Sequence, residues 1–269
     1  MNLLLASLLL APLAVPSQET RPDTKDPVKA RLEGSPRHHE WIELKVGEST
    51  LRTFAVFPEV KAKVQAVIVI HENRGLNDWA RSVADRLAEA GYVALAPDLL
   101  SGAGPNGGGT EAFASTDEAT KAISALDPAR TLARLDALVA HARTLPACNG
   151  KVSVAGFCWG GARSFEYATH AKDLVAAYVF YGSPPSDESA LARIACPVYG
   201  FYGENDARIT AGVEGTALAM EKAGKTFDFV IYPGAGHGFL RSGEASDASA
   251  ENKKAFEEGW KRWKELLAK

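Results

Sequence analysis

The chain is poor in sulfur, with three cysteines and two methionines among 269 residues, and its cysteines and histidines fall in no metal-ligand spacing. The sequence "HENRG" begins like a zinc H-E-x-x-H helix at His71 and Glu72, but Gly75 stands where the second histidine is needed. No metal is therefore expected. Charge of one sign is also lacking: 30 basic residues meet 33 acidic ones, a formal net charge of -3. That balance gives no electrostatic reason to expect nucleic acid or an acidic membrane surface as a partner. Beyond the N-terminus no segment approaches the ~20 continuous apolar residues of a membrane span. There is no internal repeat. The remaining composition, 46% hydrophobic and 23% charged, suffices for one sizeable core without covalent staples.

The first residues form an apolar run from Leu3 to about Val15, closed by small residues near Ser17. This is the pattern of a secretory signal, although the stretch before the run holds no Lys or Arg. Residues 1–17 are accordingly expected to be a signal peptide and the mature protein to be secreted or periplasmic, with a cytoplasmic location as the alternative. Once the signal is cleaved no stable membrane span is expected. Residues 18–37 are polar, carry three prolines and show no periodicity, so they are expected to be a disordered linker.

From residue 38 to 269 the pattern is that of one α/β domain. "EWIELKV" and "TLRTFAVF" alternate as a half-buried antiparallel pair, and "AVIVIH" is a continuous apolar run typical of a strand covered on both faces. Trp79, Val83 and Leu87 then stripe a helix, and strands and helices alternate to a closing helix marked by Phe256, Trp260, Trp263 and Leu267. Such alternation implies right-handed crossovers, a mainly parallel sheet with helices on both faces, and ligands bound beyond the carboxyl ends of the strands. The segment from about 100 to 128 interrupts the pattern and reads as a lid or flexible loop. Its Gly102, Gly104 and Gly107 satisfy G-x-G-x-x-G in form, but Pro105 and more glycines follow instead of a helix. No nucleotide or other cofactor is expected.

In "VSVAGFCWGGARSF" a strand runs into a helix through Gly156, Cys158 and Gly160. This is the nucleophile-elbow pattern with cysteine in the usual serine position, although a lone cysteine is more often a buried apolar side chain. The elbow requires an acid and then a histidine, each in a loop after a later strand. Asp206 in "YGFYGENDARI" and His237 in "VIYPGAGHGFLR" arrive in that order, with Glu204 as the competing acid. Cys148 and Cys196 each immediately precede a strand-like run. They are expected either to bridge neighbouring strands, leaving Cys158 free, or to remain reduced. Trp159, Tyr181, Tyr202 and Phe239 flank the expected cleft, and Arg74, Phe239 and Tyr181 are candidate substrate-binding residues.

Taken together, "VIVIHENRG", "GYVALAPDLL", "GKVSVAGFCWGG", "GENDARI" and "GAGHGFLR" make the chain from about His39 onward resemble the dienelactone hydrolase family, a branch of the α/β-hydrolases. The resemblance implies hydrolysis of a small ester or lactone by a Cys158–Asp206–His237 triad through a thioester. It also implies an oxyanion hole from the backbone N–H groups of Asn73 and Trp159, Glu72 in contact with the resting thiol, and Arg241 binding a substrate carboxylate. The family's second carboxylate-binding arginine comes from the lid, where this chain has none between Leu100 and Pro128. The protein is expected to be a monomer or small homo-oligomer. A binding protein on the same fold and a thioesterase are the alternatives, while a thiol redox role would need a resolving cysteine near Cys158.

Overall fold

A computed structural model describes residues 27–269. The apolar run of residues 1–17 and the first part of the expected linker lie outside the described residues. Eight strands form one sheet in the order β1-β2-β4-β3-β5-β6-β7-β8. β1 (His38–Val46) and β2 (Ser49–Phe57) pair antiparallel, and β2 also runs antiparallel to β4 (Val93–Pro97). From β4 onward every pairing is parallel: β3 (Val64–Ile70), β5 (Cys148–Phe157), β6 (Ala177–Phe180), β7 (Val198–Gly203) and β8 (Phe227–Tyr232). This is the α/β-hydrolase fold.

The strands at the centre are apolar on both sides because both sides are covered. Alternate residues point to opposite faces, so Ile68, Ile70 and Val154 join one core while Val67, Val69, Ala155 and Phe157 join the other. The first core is closed by α4 (Pro128–Thr144), α5 (Trp159–His170) and α7 (Val213–Lys222). The second is closed by α2 (Asp78–Glu89) and α9 (Ala250–Leu267), whose Trp263 packs on Phe157, Tyr178 and Phe180. A short helix α6 (Ala207–Thr210) follows β7 and another, α8 (Phe239–Ser242), follows β8.

One expectation is corrected here and two that were open are narrowed. The segment expected to be a disordered linker up to residue 37 contains a helix, α1 (Pro27–Glu33). Ser35 and Arg37, just beyond it, face a buried acid rather than water. Asp85 of α2 has no exposed side-chain surface and accepts from Arg37 Nε and Nη2 at 2.8 and 2.6 Å and from Ser35 Oγ at 2.5 Å, with His39 Nε2 at 3.0 Å. The 100–128 segment, expected to be a lid or flexible loop, carries two 3-10 turns and helix α3 (Thr116–Ser124). Asp98 pins it by accepting from the Thr110 N–H and Oγ1, both at 2.7 Å, and Arg134 donates to the carbonyls of Leu99 and Ser101 at 2.7 and 2.6 Å. Finally, Cys148 and Cys196 are free thiols. β6 lies between their strands, and two strand spacings come to roughly 9.6 Å, beyond the ~7 Å Cα limit for a bridge.

Burial alone opposes the Asp85 charge, but hydrogen bonds from Arg37, Ser35 and His39 outweigh it and hold the carboxyl at about 2 against an ordinary 3.8. A depressed folded-state value stabilises above the unfolded value and is lost as pH falls through the folded one, here about 2 kcal/mol between pH ~5 and ~2. Asp85→Asn is expected to lower the urea-derived stability by about 2–4 kcal/mol near neutrality, with the gap to wild type narrowing as the pH approaches ~2. A gap that does not change with pH refutes the ion-pair account.

Candidate active site

β5 ends at Phe157 and α5 begins at Trp159, so Cys158 alone makes the turn, at φ 56° and ψ −115°. That conformation costs a cysteine on the order of 1–3 kcal/mol and must be enforced by its surroundings. The Cys158 N–H donates to the Phe180 carbonyl at 3.0 Å, and the Cys158 carbonyl accepts from the Ala162 N–H at 3.1 Å. The flanking glycines are sterically obligatory. A Cβ on Gly156 would stand 1.9 Å from the Gly160 carbonyl oxygen, and one on Gly160 would stand 2.3 Å from the carbonyl oxygens of both Ile70 and His71. The half-buried sulfur thus sits at the positive end of a 12-residue helix. Among the described residues, neither the Trp159 N–H nor the Asn73 N–H finds a protein acceptor.

The acid and the histidine meet as the chain order requires. Asp206 caps the start of α6 just beyond β7, His237 lies just beyond β8, and His237 Nδ1 is 2.5 Å from Asp206 Oδ2. Glu204, the competing acid, is exposed and accepts instead from the Gly234 N–H at 2.8 Å. The imidazolium of His237 is held up to about 9. Interaction with the Cys158 sulfur is the largest cause and Asp206 adds to it, while burial opposes both. Cys158, Asp206 and His237 thus each follow the carboxyl end of a parallel strand, β5, β7 and β8 in turn.

The remaining candidates are placed less simply. Glu72, buried beyond β3, makes no hydrogen bond to the thiol among the described residues. Its Oε2 accepts from Arg241 Nε at 2.9 Å and its Oε1 from the Tyr181 hydroxyl at 3.5 Å. Burial works against the Arg241 cation, yet the charge and hydrogen bond of Glu72 outweigh it and raise its pKa. Arg241 is thus engaged with an internal carboxylate, not waiting free for one from a ligand. Tyr181 and Phe239, expected to line the substrate cleft, have no exposed surface. They stack edge-on with each other, and Tyr181 also packs edge-on against His237 at 5.1 Å, so both support the site from beneath. Tyr202 is likewise core. Arg74 is exposed and carries no ion pair among the described residues; with Arg241, Leu76 and Trp79 it lines a cleft of about 710 Å³. Arg241 thus lines that cleft while pairing with the buried Glu72.

Sequence reasoning missed the residues that hold these loops. His71 was considered only as part of a failed zinc pattern, yet its buried ring bonds the Glu72 carbonyl and stacks on Trp159. Thr110 Oγ1 donates to Asp98 while accepting from the Leu76 N–H at 2.9 Å, clipping the lid to the loop after β3. Thr120 of α3 donates to the Asn73 carbonyl at 2.9 Å. The only available signal was position, since His71 and Asp98 each follow a buried strand directly.

No group of three or more His, Cys, Asp or Glu among the described residues is arranged to hold a metal ion, and no described helix is long and apolar enough to cross a membrane. Comparison with known proteins agrees with this architecture. Residues 51–269 match the model of the dienelactone hydrolase family. A Methylorubrum extorquens protein named "Putative carboxymethylenebutenolidase" is 31% identical over 232 residues, covering 82% of this chain and 77% of its own. A Saccharolobus solfataricus protein of the same name is 32% identical over 247 residues, covering 81% and 93%. The crystal structure of a Klebsiella pneumoniae "Putative Dienelactone Hydrolase" superposes with a TM-score of 0.76 at 26% identity, over 87% of this chain and 99% of that one. The dienelactone hydrolase of Anabaena variabilis shares the fold, with a TM-score of 0.64 at 21% identity over 86% and 97%. A match across nearly the whole folded region, joined to a strained cysteine at a strand-to-helix turn, makes this chain a member of the dienelactone hydrolase family of α/β-hydrolases.

Proposed function

We propose that the chain hydrolyses a small ester or lactone by acyl transfer to Cys158. The observation that carries this reading is the strained Cys158 at the strand-to-helix turn, with His237 paired to Asp206 at 2.5 Å and its pKa raised first by the Cys158 sulfur. A histidine beside a cysteine at a helix N-terminus is the arrangement that takes a thiol's proton and leaves a nucleophilic sulfur. In the first step the sulfur attacks the ester carbonyl carbon, and the carbonyl oxygen, now negative, is met by the N–H groups of Asn73 and Trp159. As the C–O bond breaks, the imidazolium gives its proton to the departing alkoxide and a thioester remains. Neutral His237 then takes a proton from water, the resulting hydroxide attacks the thioester, and the acid leaves with the sulfur restored. Asp206 keeps Nδ1 protonated and the ring oriented throughout.

Glu72 and Arg241 neutralise one another beside the sulfur, so the buried carboxylate does not oppose negative charge there. Arg74 is the open cation of the cleft, and an ester bearing a carboxylate matches it. The N-terminal apolar run keeps its reading as an export signal, with residues 1–17 removed from the mature protein.

Cys158→Ala is expected to lower turnover of a small activated ester by roughly a thousandfold, and prior iodoacetamide to abolish the wild-type activity. Turnover unchanged in the variant removes the nucleophile. Because the imidazolium is the acid that releases the alcohol, kcat/KM should fall as the pH rises through about 9. Asp206 helps hold that proton, so Asp206→Asn should move the descending limb to lower pH; a limb that stays in place contradicts the pairing. Arg74→Gln is expected to raise KM about tenfold for a carboxylate-bearing ester and to leave neutral esters unaffected, as measured with a matched substrate panel.

A further inference from the structure

His71 is the first residue beyond β3, and its ring has no exposed surface. Both nitrogens are occupied by the main chain: Nδ1 lies 2.7 Å from the Glu72 carbonyl oxygen, and Nε2 lies 3.3 Å from the Leu99 N–H. A carbonyl accepts and an N–H donates, so these partners require the neutral ring with its proton on Nδ1. Burial favours the same state, pushing the His71 pKa down against the pull of Asp98. One face of the ring stacks on the Trp159 indole, with centroids 5.6 Å apart and planes 15° apart. The carbonyl of the same residue packs against the start of α5, where a Cβ on Gly160 would reach it at 2.3 Å.

We propose that His71 is a positioning residue for the oxyanion hole: by holding the Glu72 carbonyl, it aims the Asn73 N–H at the place where the substrate oxygen becomes negative. This rests on the acyl-transfer reading given above. The geometric step is short. Glu72 C=O and Asn73 N–H belong to one peptide unit, and no peptide bond among the described residues is cis. In a trans unit the two groups point in opposite directions. A hydrogen bond that fixes the carbonyl on the His71 side therefore fixes the N–H on the opposite side. The next carbonyl, of Asn73, is held by Thr120 Oγ1, so the residue is clamped from both ends. The second donor, Trp159, is the residue whose indole lies against the same imidazole. One ring thus sets the relative position of two loops that are far apart in the chain. Any planar ring can fill the space beside Trp159, but the donation to Glu72 needs a nitrogen that bears hydrogen at the Nδ1 position. Donors held in advance in this way act without reorganising as charge develops, and losing one costs on the order of 100-fold to 1,000-fold in kcat.

The test separates the donor from the packing. His71→Phe keeps a ring and loses both nitrogens, and His71→Leu does the same with less bulk should the phenyl not pack. His71→Asn offers an amide N–H near the Nδ1 position. Each is compared with wild type and Cys158→Ala for kcat and KM on a neutral activated ester. Thiol alkylation by iodoacetamide across pH and affinity for a trifluoromethyl ketone, whose adduct carries an oxyanion, are measured alongside. The expected result is kcat lower by about 100-fold in His71→Phe or His71→Leu, KM within about threefold, alkylation unchanged, and ketone affinity falling in step with kcat. His71→Asn should recover kcat to within about tenfold of wild type. A folded His71→Phe or His71→Leu that keeps kcat within about threefold overturns the proposal, as does a loss of kcat matched by an equal loss of alkylation, which would mark general damage to the site. Wild-type turnover surviving in Cys158→Ala instead defeats the acyl-transfer reading and this inference with it.

Discussion

Everything at the site depends on how closely the first turn of α5 approaches the ends of β3 and β5. Two carbonyl oxygens, from Ile70 and His71, occupy the space where a side chain at Gly160 would begin, and the Gly160 carbonyl occupies that of Gly156. With both neighbours reduced to hydrogen, the chain turns within one residue, and that residue is forced to a positive φ. The strain on Cys158 is therefore a result of packing between two well-buried strands and a helix. It is sustained by the whole central sheet and not by local bonds alone.

That approach also brings the loop after β3 within reach of the helix start. Glu72 and Arg241 then form a neutral pair under the site, closed from below by Tyr181, whose hydroxyl proton is held firmly by burial and by the Glu72 charge. The charge balance is local. One positive group, His237, faces the sulfur and Asp206, while the buried carboxylate beside them has its own cation. Lid and site are joined by hydroxyls: Thr110 ties the lid to Leu76, and Thr120 ties α3 to Asn73.

The fold was legible because strands covered on both faces are written as unbroken apolar runs, and "AVIVIH" and "YVALAP" leave little else to be. The elbow was legible because steric exclusion selects glycine and nothing else at two fixed distances from Cys158. Asp206 and His237 were legible through the order in which parallel strands deliver their loops. What stayed hidden depends on partners distant in sequence. The pairing of Glu72 with Arg241 spans 169 residues, and no local pattern marks it. Tyr181 and Phe239 read as cleft aromatics from their places beyond strands, while the fold packs them against each other, Tyr181 under His237 and Phe239 beside Gly259 of α9. Arg37 and Ser35 read as linker because polar residues near prolines usually meet water, and only the fold shows them meeting Asp85. The cysteine bridge failed on strand order, since a connection can skip a place in the sheet that the sequence does not number.

The anchoring of α1 has a practical side. Pro27 and Val28 stand in the wall of the cleft that Arg74 and Arg241 also line. The first helix among the described residues is therefore part of that wall as well as a lid on Asp85. Shortening the chain past α1 to obtain a smaller domain would take away part of that wall together with Arg31, whose Nε lies 3.6 Å from Asp85.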